Sequence, residues 1–324
     1  MWNELAGRGD LGALAYFDNL MMGAHARRKN YLPDLSGSPA LFAASDFTGE
    51  QKASPFSCFS FVITTADELH RWDNWRRHLR RSHGLGNRRI SYSKLKDSRK
   101  NAALRPFLFA ANELMGLAVT ILVEKQIESL FIKAGRMRPG DVEVAGMSFA
   151  HWKPIVFERM MRATHFLALF VAGLSTQGQN IVWITDEDDI APNTKRLREL
   201  THAFGQVLGN LLPHSVGHIR VGTTGTTAGD DLVMEDFAAI PDLMGGAVNE
   251  IVAAYDHAGI SLSRTVLTPP PEHLPRKAQD LLEAFVDDAA RLRKLVFTVR
   301  QAEGSTQLLF SQIMFHSQAR LVRA

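Results

Sequence analysis

The sequence is poor in the residues that build disulfide scaffolds, cysteine-based zinc sites and membrane spans. Its 324 residues include one cysteine, Cys58, which cannot form an internal disulfide. Cys58 lies in an apolar segment, so we expect it to pack in the core. The longest purely apolar run, residues 166–174, is about half as long as the ~20 residues of a membrane-spanning helix. No basic-then-apolar leader opens the chain. These absences predict a cytoplasmic protein without membrane contacts.

Several catalytic signatures are also missing from the sequence. There is no G-x-S-x-G motif of serine hydrolases and no H-E-x-x-H motif of zinc proteases. The glycine-rich segment 221–231 lacks the Gly-Lys-Ser/Thr of a phosphate-binding P-loop, so we interpret it as a flexible connection. The function must therefore be sought in other residues.

The charge distribution is uneven, although 45% hydrophobic and 22% charged residues are typical of a globular protein. Residues 71–105 contain twelve Lys or Arg and two Asp, a local charge of +10; the whole chain carries +3, so the rest carries −7. Such a segment is typical of a protein that binds a polyanion, and a solvated helix face is the alternative. The residues predicted to contact nucleic acid are Arg76, Arg77, Arg80, Arg81, Arg88, Arg89, Lys94 and Lys96. Trp72, Trp75 and Tyr92 lie among them and could stack on nucleobases, although Trp residues so close on a helix more often face a core.

The hydrophobic periodicity predicts an α/β fold with a mixed sheet flanked by helices. Strands are expected at 40–46 and 56–64, joined as a hairpin, and at 117–125, 180–185 and about 218–224. Helices are expected from 66 to Gly84, over 97–115 and 154–174, after Asn193, and from Pro241, which suits a first helical turn. The predicted organisation is an N-terminal extension (1–38), a core (39–267), a Pro-rich linker (268–275), and a C-terminal addition (276–324) with a helix to 293 and two strands.

Three aspartates stand at the ends of predicted elements. Asp46 and Asp186 end strands, and Asp242 begins a helix. If the two strands are parallel neighbours, both carboxylates emerge at the same sheet edge, where α/β proteins build their sites. Three such groups would repel one another unless a divalent cation neutralised them, and oxygen ligands favour Mg²⁺ or Mn²⁺. Each aspartate also has an ordinary interpretation, as a turn or helix-start residue.

The order of these acids resembles the ribonuclease H-like superfamily. Within it, the chain resembles the bacterial family called domain of unknown function 3800, whose members have a D-E-S-G strand end, an E-L-K-type stretch, a strand ending in D-E and an A-D-L-x-A-G helix. The corresponding segments here are Asp46-Phe47-Thr48-Gly49, residues 89–95, Thr185-Asp186-Glu187 and residues 241–246. The resemblance covers roughly residues 40–255.

The resemblance implies a ribonuclease H-like fold and a metal-dependent nuclease that cleaves phosphodiester bonds with Mg²⁺ or Mn²⁺. It assigns Asp46, Asp186 and Asp242 as catalytic metal ligands, with Glu50, Glu187 and Glu250 as possible supporting acids. Two positions depart from the family pattern, because Phe47 and Arg89 stand where acids are expected. The alternative is therefore a catalytically eroded subunit that binds nucleic acid or a protein partner in a bacterial complex such as a defence system.

Overall fold

The computed structural model describes most of the chain. The described residues are 2–6, 11–27, 31–49, 54–132, 135–144, 146–225, 231–259, 265–267, 274–285, 287 and 289–315, with only the backbone described at 27, 265–267, 285 and 315. Glu50, the predicted linker at 268–273 and the glycine-rich residues 226–230 lie outside these ranges.

The described backbone forms ten strands and seven α-helices. The strands are β1 (Ala40–Thr48), β2 (Phe56–Thr65), β3 (Gly116–Glu124), β4 (Glu143–Val144), β5 (Met147–Ser148), β6 (Asn180–Thr185), β7 (Ile219–Thr223), β8 (Thr265–Leu267), β9 (Leu292–Gln301) and β10 (Leu308–Phe315). The helices are α1 (Ala15–Arg27), α2 (Ala66–Ser82), α3 (Ser98–Asn112), α4 (Pro154–Leu174), α5 (Thr194–Leu211), α6 (Val233–His257) and α7 (Arg276–Phe285).

The chain divides into two compact units, and each is assembled from two separate stretches. The first unit comprises Met1–Ala43 and Ile127–Thr227; the second comprises Ala44–Gln126 and Ala228–Ala324. Strand β1 therefore supplies residues to both units. This division cuts the chain at other places than the extension, core and addition expected from the sequence.

The first unit is built around α4. In this unit β7 pairs with β6 in parallel, with Thr185 opposite Thr223. On its other side in the sheet, β6 lies next to β1, whose first residues belong to this unit. The N-terminal residues pack on α4, since the Trp2 ring lies edge-on to Phe170 with centroids 6.0 Å apart. Residues 1–38 were predicted as an extension, but the described part belongs to the core of this unit because its apolar side chains complete the burial of α4.

The second unit contains a mixed sheet in the order β1-β2-β3-β9-β10-β8, with α2, α3, α6 and α7. Strands β2 and β3 are antiparallel, β3 and β9 parallel, β9 and β10 antiparallel, and β10 and β8 parallel. The predicted α/β class with a mixed sheet is thus confirmed. Strand β9 was expected in an appended C-terminal segment, but it pairs along nearly the whole of β3 and is an integral part of this sheet.

Short polar residues start helices α2 and α5. The Thr65 hydroxyl accepts a hydrogen bond from the Glu68 N–H at the start of α2, and Asn193 does the same for α5. The prediction for α6 was wrong at its start, because the helix begins eight residues before Pro241 and contains that proline in its interior. Asp242 is therefore a mid-helix residue and not a cap.

Two further predictions are settled by the helices. The C-terminal helix expected to reach residue 293 ends at Phe285, because β9 begins at Leu292. Helix α6 is the one described helix that is long and apolar enough to cross a membrane, and 72% of its most apolar 18-residue stretch is buried inside the protein. Such burial is typical of a core helix, so no membrane contact is indicated.

Candidate functional site

The first predicted site residue, Asp46, lies beside the buried thiol of Cys58 in the second unit. Burial is the main cause that raises the pKa of Cys58 to about 12, and the negative charge of Asp46 adds to it. The Phe47 ring packs against Phe59 and Phe61 on one face of the sheet, so the alternation of side chains along a strand places Asp46 on the same face as Cys58. The Cys58 Sγ atom lies 3.7 Å from the carbonyl oxygen of Gly245 on α6. Asp46 therefore belongs to the sheet face that packs against α6.

Asp242 reaches the same region from α6. It precedes Gly245 by three residues, so the two residues share one face of the helix. The helix approaches β2 closely there, since a Cβ atom on Gly245 would lie 2.6 Å from the Ser60 Oγ atom. The Asp242 Oδ2 atom accepts a 2.7 Å hydrogen bond from the backbone N–H of Tyr92, which fixes the carboxylate. The second unit thus places Asp46 on β1, the strand next to β2, and Asp242 on α6, the helix that packs against β2.

Tyr92 links Asp242 to a second acid on α6. The Tyr92 hydroxyl donates a 2.6 Å hydrogen bond to Oε2 of Glu250, and Oε1 of Glu250 lies 3.1 Å from the Lys277 ammonium group. The same ammonium group lies 3.7 Å from the centre of the Tyr92 ring, a cation–π contact. Burial and the neighbouring carboxylate of Glu250 raise the pKa of Tyr92 above its ordinary value. Glu250 therefore holds Tyr92 in place, and binding of a cation by Glu250 would compete with its contacts to Tyr92 and Lys277.

Asp186 and Glu187 follow β6 in the first unit, as the sequence predicts for a strand end. The Asp186 Oδ1 atom accepts hydrogen bonds from the Glu187 N–H (2.8 Å) and the Thr224 hydroxyl (3.3 Å). The Thr223 hydroxyl donates to Glu187 Oε1 at 3.2 Å. Parallel pairing of β6 with β7 positions both threonines. Both acidic side chains are exposed, so they stand in solvent at the carboxyl end of β6.

The metal-binding role of Asp46, Asp186 and Asp242 stays a prediction for the residues that the structure describes. Among those residues, no group of three or more His, Cys, Asp or Glu side chains is arranged to hold a metal ion. Asp46 and Asp242 nevertheless fit Mg²⁺ or Mn²⁺ in donor chemistry, because Mg²⁺ often binds one or two carboxylates and keeps several waters. The hydrogen bond from Tyr92 to Asp242 is of the kind that orients ligating carboxylates.

The most basic helix, α2, uses two of its arginines inside the protein. The Arg76 side chain is 1% exposed, and its guanidinium group lies 2.6 Å from Asp73, 2.6 Å from Asp231 and 3.0 Å from Asp236. Arg80 lies 2.6 Å from the other oxygen of Asp236. The prediction that Arg76 and Arg80 contact nucleic acid is corrected by this burial, since neither guanidinium group is accessible to a phosphate.

The other predicted nucleic-acid contacts lie at the surface of the second unit. Arg77 pairs with Asp73 and Asp231, Arg88 with Asp97 at 3.0 Å, and Arg89 with Glu235 at 2.7 Å. Arg81, Lys94 and Lys96 are exposed. Trp75 is exposed, whereas Trp72 and Tyr92 are buried and cannot stack on bases. The partners Asp231 and Asp236 lie more than 150 residues beyond Arg76, so sequence proximity gave no signal for these pairs.

Comparisons with known proteins assign no family. No protein-family model matches the chain, and no curated protein matches it either. The ribonuclease H-like resemblance therefore rests on the short motifs quoted from the sequence.

Proposed function

We propose that this chain is a nuclease of ribonuclease H-like fold that uses Mg²⁺ or Mn²⁺ to hydrolyse phosphodiester bonds. The observation that carries the proposal is the position of Asp46 on the strand next to β2 and of Asp242 on the helix that packs against β2, with Asp242 oriented by the Tyr92 N–H. A divalent cation held between these two carboxylates would compensate their repulsion.

Asp46 and Asp242 would hold the ion, and the resemblance adds Asp186 as a further ligand. When bound, the ion would supply a Lewis acid for the phosphoryl group and an activated water. Tyr92 would keep Asp242 in its binding orientation through the backbone N–H. Exposed cations such as Lys94 and Lys96 would attract the nucleic-acid backbone through charge. The protein would act in the cytoplasm.

A second candidate function is a non-catalytic subunit of the same fold that binds nucleic acid or a protein partner. It is favoured by the two positions that depart from the family pattern. The Phe47 ring packs against Phe59 and Phe61, with ring centroids 5.7 and 6.2 Å apart, and Arg89 forms an ion pair with Glu235. Both positions thus have structural roles where the family has acids.

Cleavage of labelled DNA and RNA in Mn²⁺ by the full chain tests the first proposal. We expect the wild type to cleave one of these substrates, and Asp46→Asn and Asp242→Asn to lose at least 100-fold in rate, the order seen on removal of one strong electrostatic group. Asp34→Asn is the matched control, because Asp34 lies in an exposed turn beside Ser36. Asp186→Asn, assayed in parallel, tests the ligand that the resemblance adds.

The two candidate functions are separated by the same experiment. Cleavage that survives in both Asp46→Asn and Asp242→Asn contradicts the nuclease proposal as built on these residues. A wild type that binds nucleic acid but leaves it intact in Mn²⁺ supports the non-catalytic subunit instead.

A further inference from the structure

The first unit contains a cavity of about 480 Å³ that has no part in the proposed nuclease. Its walls come from the turn at 11–14, from residues 130–131, and from helices α4 and α5. This volume is within the range of small-molecule sites and far exceeds the ~30 Å³ that one water occupies. The cavity therefore has room for an organic molecule.

The lining of the cavity is mostly apolar. Leucine, alanine, valine and phenylalanine side chains form most of the wall, and the polar side chains among the described lining residues are His165 and Asn210. The Phe131 ring lies beside the His165 ring, with centroids 4.5 Å apart and planes inclined by 42°. The described lining includes no Asp, Glu, Lys or Arg, so these side chains offer an ionised ligand no compensating charge.

The hydrogen-bonding state of His165 follows from its backbone contact. The Nδ1 atom lies 2.7 Å from the carbonyl oxygen of Met161, one turn earlier on α4. A carbonyl oxygen can only accept, so Nδ1 carries the hydrogen and Nε2 carries the lone pair of the neutral ring. Burial lowers the pKa of His165, so the ring is neutral at pH 7. The imidazole thus offers an acceptor at Nε2.

We propose that this cavity binds a small, neutral aromatic molecule with one N–H or O–H donor, which packs against Phe131 and donates to His165 Nε2. The aromatic wall supplies stacking or edge contacts, and the single imidazole acceptor sets the orientation. Leu14 and Leu211 bury the hydrocarbon part of the ligand.

Indole and 1-methylindole form a matched pair of probes, because they differ by the N–H donor. Binding of each to the full-length protein is measured by titration calorimetry at pH 7.5. We expect saturable binding of indole and up to tenfold weaker binding of 1-methylindole, since one hydrogen bond contributes on the order of 1 kcal/mol. This comparison uses the wild type alone and does not depend on the folding of any variant.

Two variants assign the effect to the cavity. His165→Phe keeps a ring of similar size but removes the acceptor, so the preference for indole should vanish while 1-methylindole still binds. Ala13→Leu fills part of the cavity and should weaken both probes. His202→Phe, on an exposed position of α5, is the control and should change neither affinity. The proposal is overturned if the wild type shows no saturable binding of indole, or if His165→Phe keeps the preference for indole.

Discussion

Replacement of Arg76 by methionine removes the cation at the centre of three carboxylates. Arg76 and its partner Asp236 are each 1% exposed, whereas Asp231 is 46% exposed and regains water readily. Removing one member of a buried ion pair costs about 3–5 kcal/mol, because the other charge stays buried. Arg80 still compensates Asp236 at 2.6 Å, so we expect the lower end, about 3 kcal/mol of unfolding free energy.

The matched control is Arg77→Met. Arg77 pairs with Asp73 and Asp231, two of the carboxylates that Arg76 also contacts, but its side chain is 53% exposed. Exposed pairs contribute about 0–1 kcal/mol, so this variant should lose little. Urea unfolding followed by circular dichroism measures both losses, and hydrogen exchange in α2 localises them. Equal losses for the two variants would refute the reasoning.

The pH dependence of the same variant gives a second check on its cause. Burial raises the pKa of Asp236 even with both arginines present, and loss of Arg76 should raise it further. Acidification then protonates Asp236 and removes the uncompensated charge. The difference between Arg76→Met and the wild type should therefore shrink as the pH falls, and a difference that stayed constant with pH would assign the loss to packing.

Three further predictions concern single positions. Cys58, with its pKa raised to about 12, should resist a thiol reagent at pH 8 in the folded protein and react fully in urea, as followed by mass spectrometry. Gly246→Ala should lower the unfolding free energy by about 1–3 kcal/mol, because the new Cβ would lie 2.3 Å from the Tyr92 ring. Gly209→Ala, where the new Cβ meets open space on a helix, should raise the unfolding free energy by about 0.5–1 kcal/mol in the same assay. Burial lowers the pKa of Lys294 from 10.5 to about 8, so the charged side chain destabilises the folded protein at pH 7. Lys294→Met should therefore raise the unfolding free energy by about 2–3 kcal/mol at pH 7, and this gain should fade between pH 8 and 10.5 as the wild-type lysine loses its proton. A gain that persisted at pH 11 would contradict the titration as its cause.

Local sequence signals predicted the regular elements well. The bounds of α4 and β6 agree with the predicted 154–174 and 180–185, because a long apolar run and a polar turn mark their ends. Pro241 misled the prediction of α6, since packing on every side of that helix outweighs the hydrogen bond that a proline removes. Propensity alone cannot weigh such packing.

The candidate site also has a part that the sequence could predict and a part that it could not. An acid at a strand end could be recognised from the sequence, as Asp186 shows, whereas Asp46 was expected to end β1 but lies within this strand, which continues to Thr48. Their partners could not, because the Tyr92 N–H that orients Asp242 is 150 residues away and belongs to the backbone, which any residue type supplies. The basic segment likewise looked like a polyanion surface because two of its counter-charges, the exposed Asp231 and the buried Asp236, come from a distant part of the chain.

The assembly of the first unit from two separate stretches has a consequence for its synthesis. Asn3 hydrogen-bonds the backbone of Ser175, 172 residues later, so the first stretch must await its partner while the ribosome translates the intervening chain. At about 5–20 residues per second this delay is roughly 10–35 s. Throughout that interval the nascent Trp2, Leu5 and Phe17, which end up buried, are available to chaperones and proteases. These apolar side chains thus depend on protection during translation until α4 has been made.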